Sequence, residues 1–203
     1  MIMIVTFHEF GHAWTAWKCG DDTAKDQGRI SLNPLDHMDF WGTFIIPLVA
    51  ISLSVFGSGL GSFLIGWGRP VPVNVSNLRN RKRDDILISM AGPAMNVVLA
   101  FGILAVARFG ELAHAQQLGE FGVRLAALSM FLCFFNLMPV PPLDGSHVVK
   151  NLVGMSDETF LRLSQYGFLM IILLINLFPV VFSAMAVAAK VSINLMAKVL
   201  GFH

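Results

Sequence analysis

Residues 86–109 read ILISMAGPAMNVVLAFGILAVARF, an apolar stretch from which the class of fold can be inferred. The single charged side chain within it is Arg108, close to its end. A helix needs about 20 consecutive apolar residues to cross the hydrocarbon core of a bilayer. The stretch is therefore predicted to span a membrane as an α-helix.

The rest of the chain has the same apolar character. Of its 203 residues, 55% are hydrophobic and 13% are charged, whereas soluble domains carry about 25% charged residues. Other apolar segments lie at 1–19, 43–66, 123–138 and 162–189. We predict an all-α polytopic membrane protein of about four to six transmembrane helices, embedded in the lipid bilayer as one domain over residues 1–203. The formal net charge of +1 gives no reason to expect nucleic acid as a partner.

Residues between the apolar segments predict the topology. The strongest basic cluster should stay in the cytoplasm, and it consists of Arg69, Arg79, Arg81, Lys82 and Arg83. Segment 86–109 then runs outward and 123–138 returns inward. Segment 43–66 carries three glycines near its middle and is predicted to be a re-entrant segment or a tight hairpin rather than a single crossing. Pro179 divides the last stretch, so residues 180–200 are predicted to form a further transmembrane or interfacial helix.

The first apolar segment contains the motif His8-Glu9-Phe10-Gly11-His12. Helical spacing places the two imidazoles on one face, about 6 Å apart along the axis, where both can hold one metal ion. Glu9 then lies beside the first ligand, where this metalloprotease motif needs its general base. An ionisable group in lipid costs about 2.5 kcal/mol or more unless it is paired, hydrated or bound to metal. A zinc site is therefore preferred to an amphipathic helix whose polar face only touches water.

A catalytic zinc usually has three protein ligands and one open position, so a third ligand must come from elsewhere in the chain. The candidates are Asp144, in the stretch NLMPVPPLDG at 136–145, and the acidic residues of the 21–39 loop. Asp144 is preferred because the prolines before it would interrupt a helix and could turn its carboxylate towards the membrane interior. The alternative for Asp144 is an ordinary turn aspartate.

Four motifs together resemble the site-2 protease family, the intramembrane zinc metalloproteases of peptidase family M50. They are HEFGH at 8–12, GWGRPVPVN at 66–74, AGPAMN at 91–96 and NLMPVPPLDG at 136–145. The resemblance spans nearly the whole chain. It is closest to the small bacterial or archaeal members that lack PDZ-like or CBS-like domains.

This resemblance implies an integral, multi-pass protein of a bacterial or archaeal cell membrane with one zinc ion per chain. The implied metal ligands are His8, His12 and Asp144, and the implied general base is Glu9. Asn136, eight residues before the aspartate, matches the asparagine that the family suggests steadies the developing oxyanion. The implied partner is a single-pass membrane protein as substrate.

Two further features are candidates for substrate binding. Asn96 offers a donor and an acceptor within an apolar segment, and it either binds substrate backbone or joins helices. The stretch RPVPVN at 69–74 cannot be an ordinary helix, and its alternating Val71 and Val73 suit a short extended β element in a cytoplasmic-side loop. A substrate could pair with such an edge strand. The alternative is an extended connection at the membrane interface.

The sequence therefore predicts a zinc metalloendopeptidase that hydrolyses peptide bonds within or near transmembrane segments. The alternative is a metal-ion or proton transporter that uses the same intramembrane cluster of histidine, glutamate and aspartate. We find no paired internal repeats of the kind many transporters carry, and the site has its own base. Both observations favour the protease.

Overall fold

The structure, a computed structural model, describes residues 1–39, 42, 68–112 and 115–201. Its α-helices in chain order are α1 Ile2–Lys18, α2 Thr23–Asp26, α3 Arg81–Leu112, α4 Gln116–Asn136, α5 Asp144–Val153, α6 Asp157–Ser164, α7 Gly167–Leu177 and α8 Pro179–Val199. Short 3₁₀ turns lie at Pro34–His37 and Val75–Asn77. The predicted helical class is confirmed for the part of the chain that is described.

Three of these helices, α3, α4 and α8, are long and apolar enough to cross a membrane. Helices α6 and α7 add a fourth candidate if they form one span, bent by 60°. The predicted range of four to six spans is therefore not confirmed by the described residues. The predicted re-entrant segment 43–66 lies outside them. Pro179 is the first residue of α8, so the predicted break at this proline is confirmed.

Helix α3 forms the centre of the fold and packs between α1 and α4. It begins with a reciprocal cap, in which Asn80 Oδ1 accepts from the Arg83 amide at 3.2 Å and Asp84 Oδ2 accepts from the Asn80 amide at 2.8 Å. Pro93 lies inside α3 without ending it. Neighbouring helices can satisfy the backbone groups that such a proline frees, which is why membrane helices tolerate it.

Helices α1 and α4 both run antiparallel to α3. Ala16, late in α1, packs in one cluster with Ile88, early in α3, while His8 lies against Asn96 further along. On the other side, Ser129 Oγ of α4 donates to the Asn96 carbonyl at 2.8 Å. The end of α1, the start of α3 and the end of α4 therefore meet at one end of the bundle.

The chain turns back into the bundle after α4. Residues 137–143 form this turn, and α5 begins at Asp144 itself. A Cβ atom at position 145 would lie 2.1 Å from the Leu137 carbonyl oxygen, so a glycine is needed there. The Asp-Gly pair thus lets the chain fold closely over the end of α4 and return Asp144 to the interior.

The predicted short β element at 69–74 is wrong, because the described residues contain no strand. The segment is held by separate contacts instead of a ladder. The Arg69 amide donates to the His37 carbonyl at 2.9 Å, and the Asn74 amide donates to Asp21 Oδ2 at 2.7 Å. Pro70 and Pro72 have no N–H to donate. Residues 69–74 form no regular secondary structure, and a 3₁₀ turn follows at Val75–Asn77.

Helix α5 is anchored to α3 through the buried carboxylate of Asp85. Its Oδ2 accepts from Asn151 Nδ2 at 2.6 Å and lies 3.5 Å from Lys150 Nζ, and its Oδ1 lies 3.2 Å from His147 Nδ1. Lys150 also pairs with Asp157 of α6 at 2.6 Å. One aspartate therefore holds the helix that begins with Asp144.

We expect Asp85→Ala to destabilise the protein by about 3 kcal/mol, because it leaves the polar groups of α5 without their buried acceptor. A lower Tm in detergent would show this. The control is Glu120→Ala, because the Glu120 and Arg124 side chains are 75% and 81% exposed, and an exposed pair contributes about 1 kcal/mol or less. Equal Tm values for the two variants would contradict the anchoring role of Asp85.

Candidate metal centre

Helix α1 presents two buried histidines one turn apart. The ring centroids of His8 and His12 are 4.7 Å apart, and their Nε2 atoms lie 3.1 Å from each other. The spacing inferred from the motif therefore places both ring nitrogens at one point.

Asp144 reaches the same point from the start of α5. Its Oδ2 lies 3.2 Å from His8 Nε2, and its Oδ1 lies 3.4 Å from His12 Nε2. One ligand atom from each of the three residues falls within 4.8 Å of the other two. In the described ranges this is the only group of three or more potential ligands as close as this.

The protonation of these groups fits a metal ion. His12 Nδ1 lies 2.7 Å from the Ile88 carbonyl, which can only accept, so Nδ1 carries a proton and, when the ring is neutral, Nε2 has the lone pair. Asp144 Oδ2 is buried and has no hydrogen-bond donor among the described residues. The Nε2 lone pair of a neutral His12 and the Asp144 carboxylate, 3.4 Å apart, repel each other unless a proton or a metal ion lies between them. Two imidazoles and one carboxylate are also a common ligand set for catalytic zinc.

Gly92 of α3 makes room for both imidazoles. A Cβ atom at this position would lie 2.3 Å from His12 Nε2 and 2.6 Å from His8 Cε1. Sequence reasoning considered Gly92 only as part of a Gly-Pro kink, and missed that the rings lie directly on its backbone. The AGP motif at 91–93 was the sequence feature that could have indicated this close approach.

Glu9 is half-buried, adjacent to His8 in the chain. The backbone amide of Val71 donates to its Oε2 at 3.2 Å. Segment 69–74 therefore lies beside Glu9. The Val73 side chain packs with Ala16 and Ile88, among others.

The two candidate asparagines lie in different surroundings. Asn96 is fully buried, and its Nδ2 is 3.1 Å from His8 Nδ1, so it contacts one of the three candidate ligands. Asn136 is half-buried at the end of α4, where its Nδ2 donates to the Leu132 carbonyl at 3.1 Å.

Two buried charged residues, whose structural role sequence reasoning missed, hold the 69–74 segment in place. The Arg29 guanidinium donates to the backbone carbonyls of Asp36, Arg69 and Pro70. Asp21 accepts from the Asn74 amide and from Asn77 Nδ2. Burial opposes the ionisation of Asp21, but its hydrogen bonds outweigh burial and lower its pKa. Neither residue stands in a motif, so no local signal marked it.

Comparison with known proteins gives the family of the chain. The sequence model of peptidase family M50 matches residues 1–115 and 101–180. The chain belongs to peptidase family M50. Three helices able to cross a membrane accord with a multi-pass membrane peptidase of this family. Membership of M50 does not favour a transporter.

The M50 chain is similar to several bacterial and archaeal proteins that are named as zinc metalloproteases. It is 35% identical to YwhC of Bacillus subtilis over 86% of this chain and 77% of that protein. It is 32% identical to Rip2 of Mycolicibacterium smegmatis over 86% of this chain and 64% of Rip2. It is 38% identical to MJ0611 of Methanocaldococcus jannaschii over 31% of this chain and 32% of that protein. No solved structure gives a significant match.

Proposed function

We propose that this M50 peptidase is an intramembrane zinc metalloprotease that hydrolyses peptide bonds within or near transmembrane segments of membrane proteins. The observation that carries the proposal is the convergence of His8, His12 and Asp144 within 4.8 Å in a chain with three apolar helices. The names of the similar proteins support zinc as the metal. A single-pass membrane protein is the proposed substrate class.

In this proposal the metal is held by Nε2 of His8, Nε2 of His12 and the carboxylate of Asp144. Bound zinc supplies a Lewis acid that polarises the scissile carbonyl and makes a coordinated water more acidic. The helix pair α1 and α3 orients the two imidazoles, and the Asp85 anchor on α5 holds the carboxylate against them. Three ligands from two helices would leave one position on the metal open for water or substrate.

Glu9 is the proposed general base. It takes a proton from the attacking water as the oxygen bonds to the carbonyl carbon, and it gives that proton to the amide nitrogen as the C–N bond breaks. The products are a carboxylic acid and an amine. The hydrogen bond from the Val71 amide orients the Glu9 carboxylate through Oε2.

Asn136 and the 69–74 segment are proposed to act on the substrate. Asn136 donates one N–H to Leu132, and the second N–H of an amide group is the one proposed to steady the oxyanion. The 69–74 segment, with Val71 and Val73, is proposed to lie along an extended substrate. The Val71 amide is bound to Glu9 and the Arg69 and Pro70 carbonyls accept from Arg29, so the segment is held beside the proposed base.

The proposal is tested by the zinc content of detergent-purified protein. We expect about one zinc ion per chain in the wild type, and its loss in His8→Ala and Asp144→Asn, because each change removes one of three protein ligands. Asp22→Asn is the matched control, since the Asp22 side chain is 59% exposed. Normal zinc content in Asp144→Asn would overturn this residue as the third ligand.

A further inference from the structure

Asn96 presents an unusual buried amide. The residue is fully buried on α3, and its Oδ1 has no hydrogen-bond donor among the described residues. Its Nδ2 lies 3.1 Å from His8 Nδ1. The contact with His8 is therefore the hydrogen bond that the described residues give this buried amide.

The two orientations of the Asn96 amide, related by a 180° rotation, require different positions of the proton on His8. The oxygen and nitrogen of an asparagine amide are nearly identical in shape, and their assignment follows from the hydrogen bonds they make. When Nδ2 faces His8, the ring must accept at Nδ1 and the neutral imidazole then carries its proton on Nε2. That proton would point at His12 and Asp144. When Oδ1 faces His8, Nδ1 carries the proton and Nε2 keeps a lone pair.

The rotated amide gives the two histidines the same arrangement. His12 Nδ1 donates to the Ile88 carbonyl at 2.7 Å, which fixes its proton away from the cluster. The Asn96 amide oxygen would be the corresponding acceptor for His8, on the same helix and about two turns along from Ile88. With both acceptors in place, the Nε2 lone pairs of both rings converge on the carboxylate of Asp144.

Helix α4 holds Asn96 in position. The Asn96 backbone carbonyl accepts a hydrogen bond from Ser129 Oγ at 2.8 Å, and Ser129 is fully buried. Neither side chain reaches solvent. The contact ties the turn of α3 that carries Asn96 to α4.

We infer that Asn96 is a positioning residue whose amide oxygen accepts from His8 Nδ1, fixing the tautomer and the ring plane that direct Nε2 at the metal. The inference rests on the proposed zinc site. Hydrogen-bond partners of metal-binding histidines typically contribute about 10- to 100-fold in metal affinity.

The test is zinc affinity, measured by chelator competition on the full chain in detergent. Asn96→Leu removes the acceptor at similar size, and we expect affinity to fall by about 10- to 100-fold. Asn96→Asp keeps an acceptor oxygen, and we expect affinity equal to or above that of the wild type. The matched control is Asn176→Leu, an exposed asparagine in α7. Thermal unfolding of the zinc-free proteins reports any loss of folding separately.

The two asparagine variants make the outcome decisive. Wild-type affinity in Asn96→Leu overturns the positioning role, and so does a loss of ten-fold or more in Asn96→Asp, since an acceptor alone would then not suffice. If Asn96→Leu does not fold, the zinc affinity of Asn96→Asp still tests the positioning role. His8→Ala separates the two proposals. Zinc lost in His8→Ala but retained in Asn96→Leu rejects only the positioning role, whereas a wild type without zinc rejects both.

Discussion

Replacement of Glu9 by glutamine is expected to reduce cleavage by at least about 100-fold, because general acid–base catalysis typically contributes about 10²- to 10⁴-fold. Glutamine has nearly the same size as glutamate, and its Oε1 can still accept the Val71 amide. It cannot take a proton from water. Zinc content is expected to remain at the wild-type level, because Glu9 is not among the three proposed ligands.

Two measurements on the same preparations check this result. Cleavage of a single-pass transmembrane substrate in liposomes gives the rate, and metal analysis gives the zinc content. Glu120→Gln is the matched control, because the Glu120 side chain is 75% exposed on α4. Undiminished cleavage in Glu9→Gln would remove Glu9 as the base. Zinc flux across the liposome membrane without any cleavage would support a transporter instead.

Alanine at position 92 is expected to abolish stoichiometric zinc binding. Its Cβ would lie 2.3 Å from His12 Nε2 and 2.6 Å from His8 Cε1, so both rings must move. The added Cβ is bonded directly to Cα, so no side-chain rotation can move it away. A misplacement of about 1 Å costs about 100-fold in rate, so cleavage is expected to fall by at least this factor.

Gly102→Ala on the same helix is the matched control, since a Cβ there has no heavy atom within 4 Å. Alanine is favoured over glycine inside a helix by about 1 kcal/mol, so neither variant should weaken α3 itself. Zinc content and thermal unfolding of both variants separate the loss of the metal site from the loss of the fold. Full zinc in Gly92→Ala would contradict the placement of the rings against α3.

Two buried acceptors on α3 determine, in the proposed site, which ring nitrogen of each histidine carries the proton. Ile88 offers a backbone carbonyl to His12, and Asn96 offers a side-chain amide to His8. Gly92 lies between them, where both rings contact the helix. A single face of α3 thus provides the space for the imidazoles and the partners for their outer nitrogens.

Local patterns in the sequence were enough to predict several of these features. The positions of His8 and His12 on one face follow from the helical repeat, which relates residues four apart. The helix over 86–109 follows from its length and apolar character, and the break at Pro179 follows from the missing N–H and the steric clash of proline. Family M50 was recognisable from motifs whose residues lie close together in sequence.

Contacts between distant segments were decided by the tertiary structure. Asp144 lies 3.2 Å from His8 because the turn after α4 and the Asp85 anchor bring α5 back against α3. The roles of Gly92 and Asn96 depend on how closely α1 crosses α3. Residues 69–74 form no strand because β-structure depends on a distant partner, and the acceptors there come from side chains and loops. Local periodicity determines which residues share a helix face, whereas tertiary packing determines which residues that face contacts.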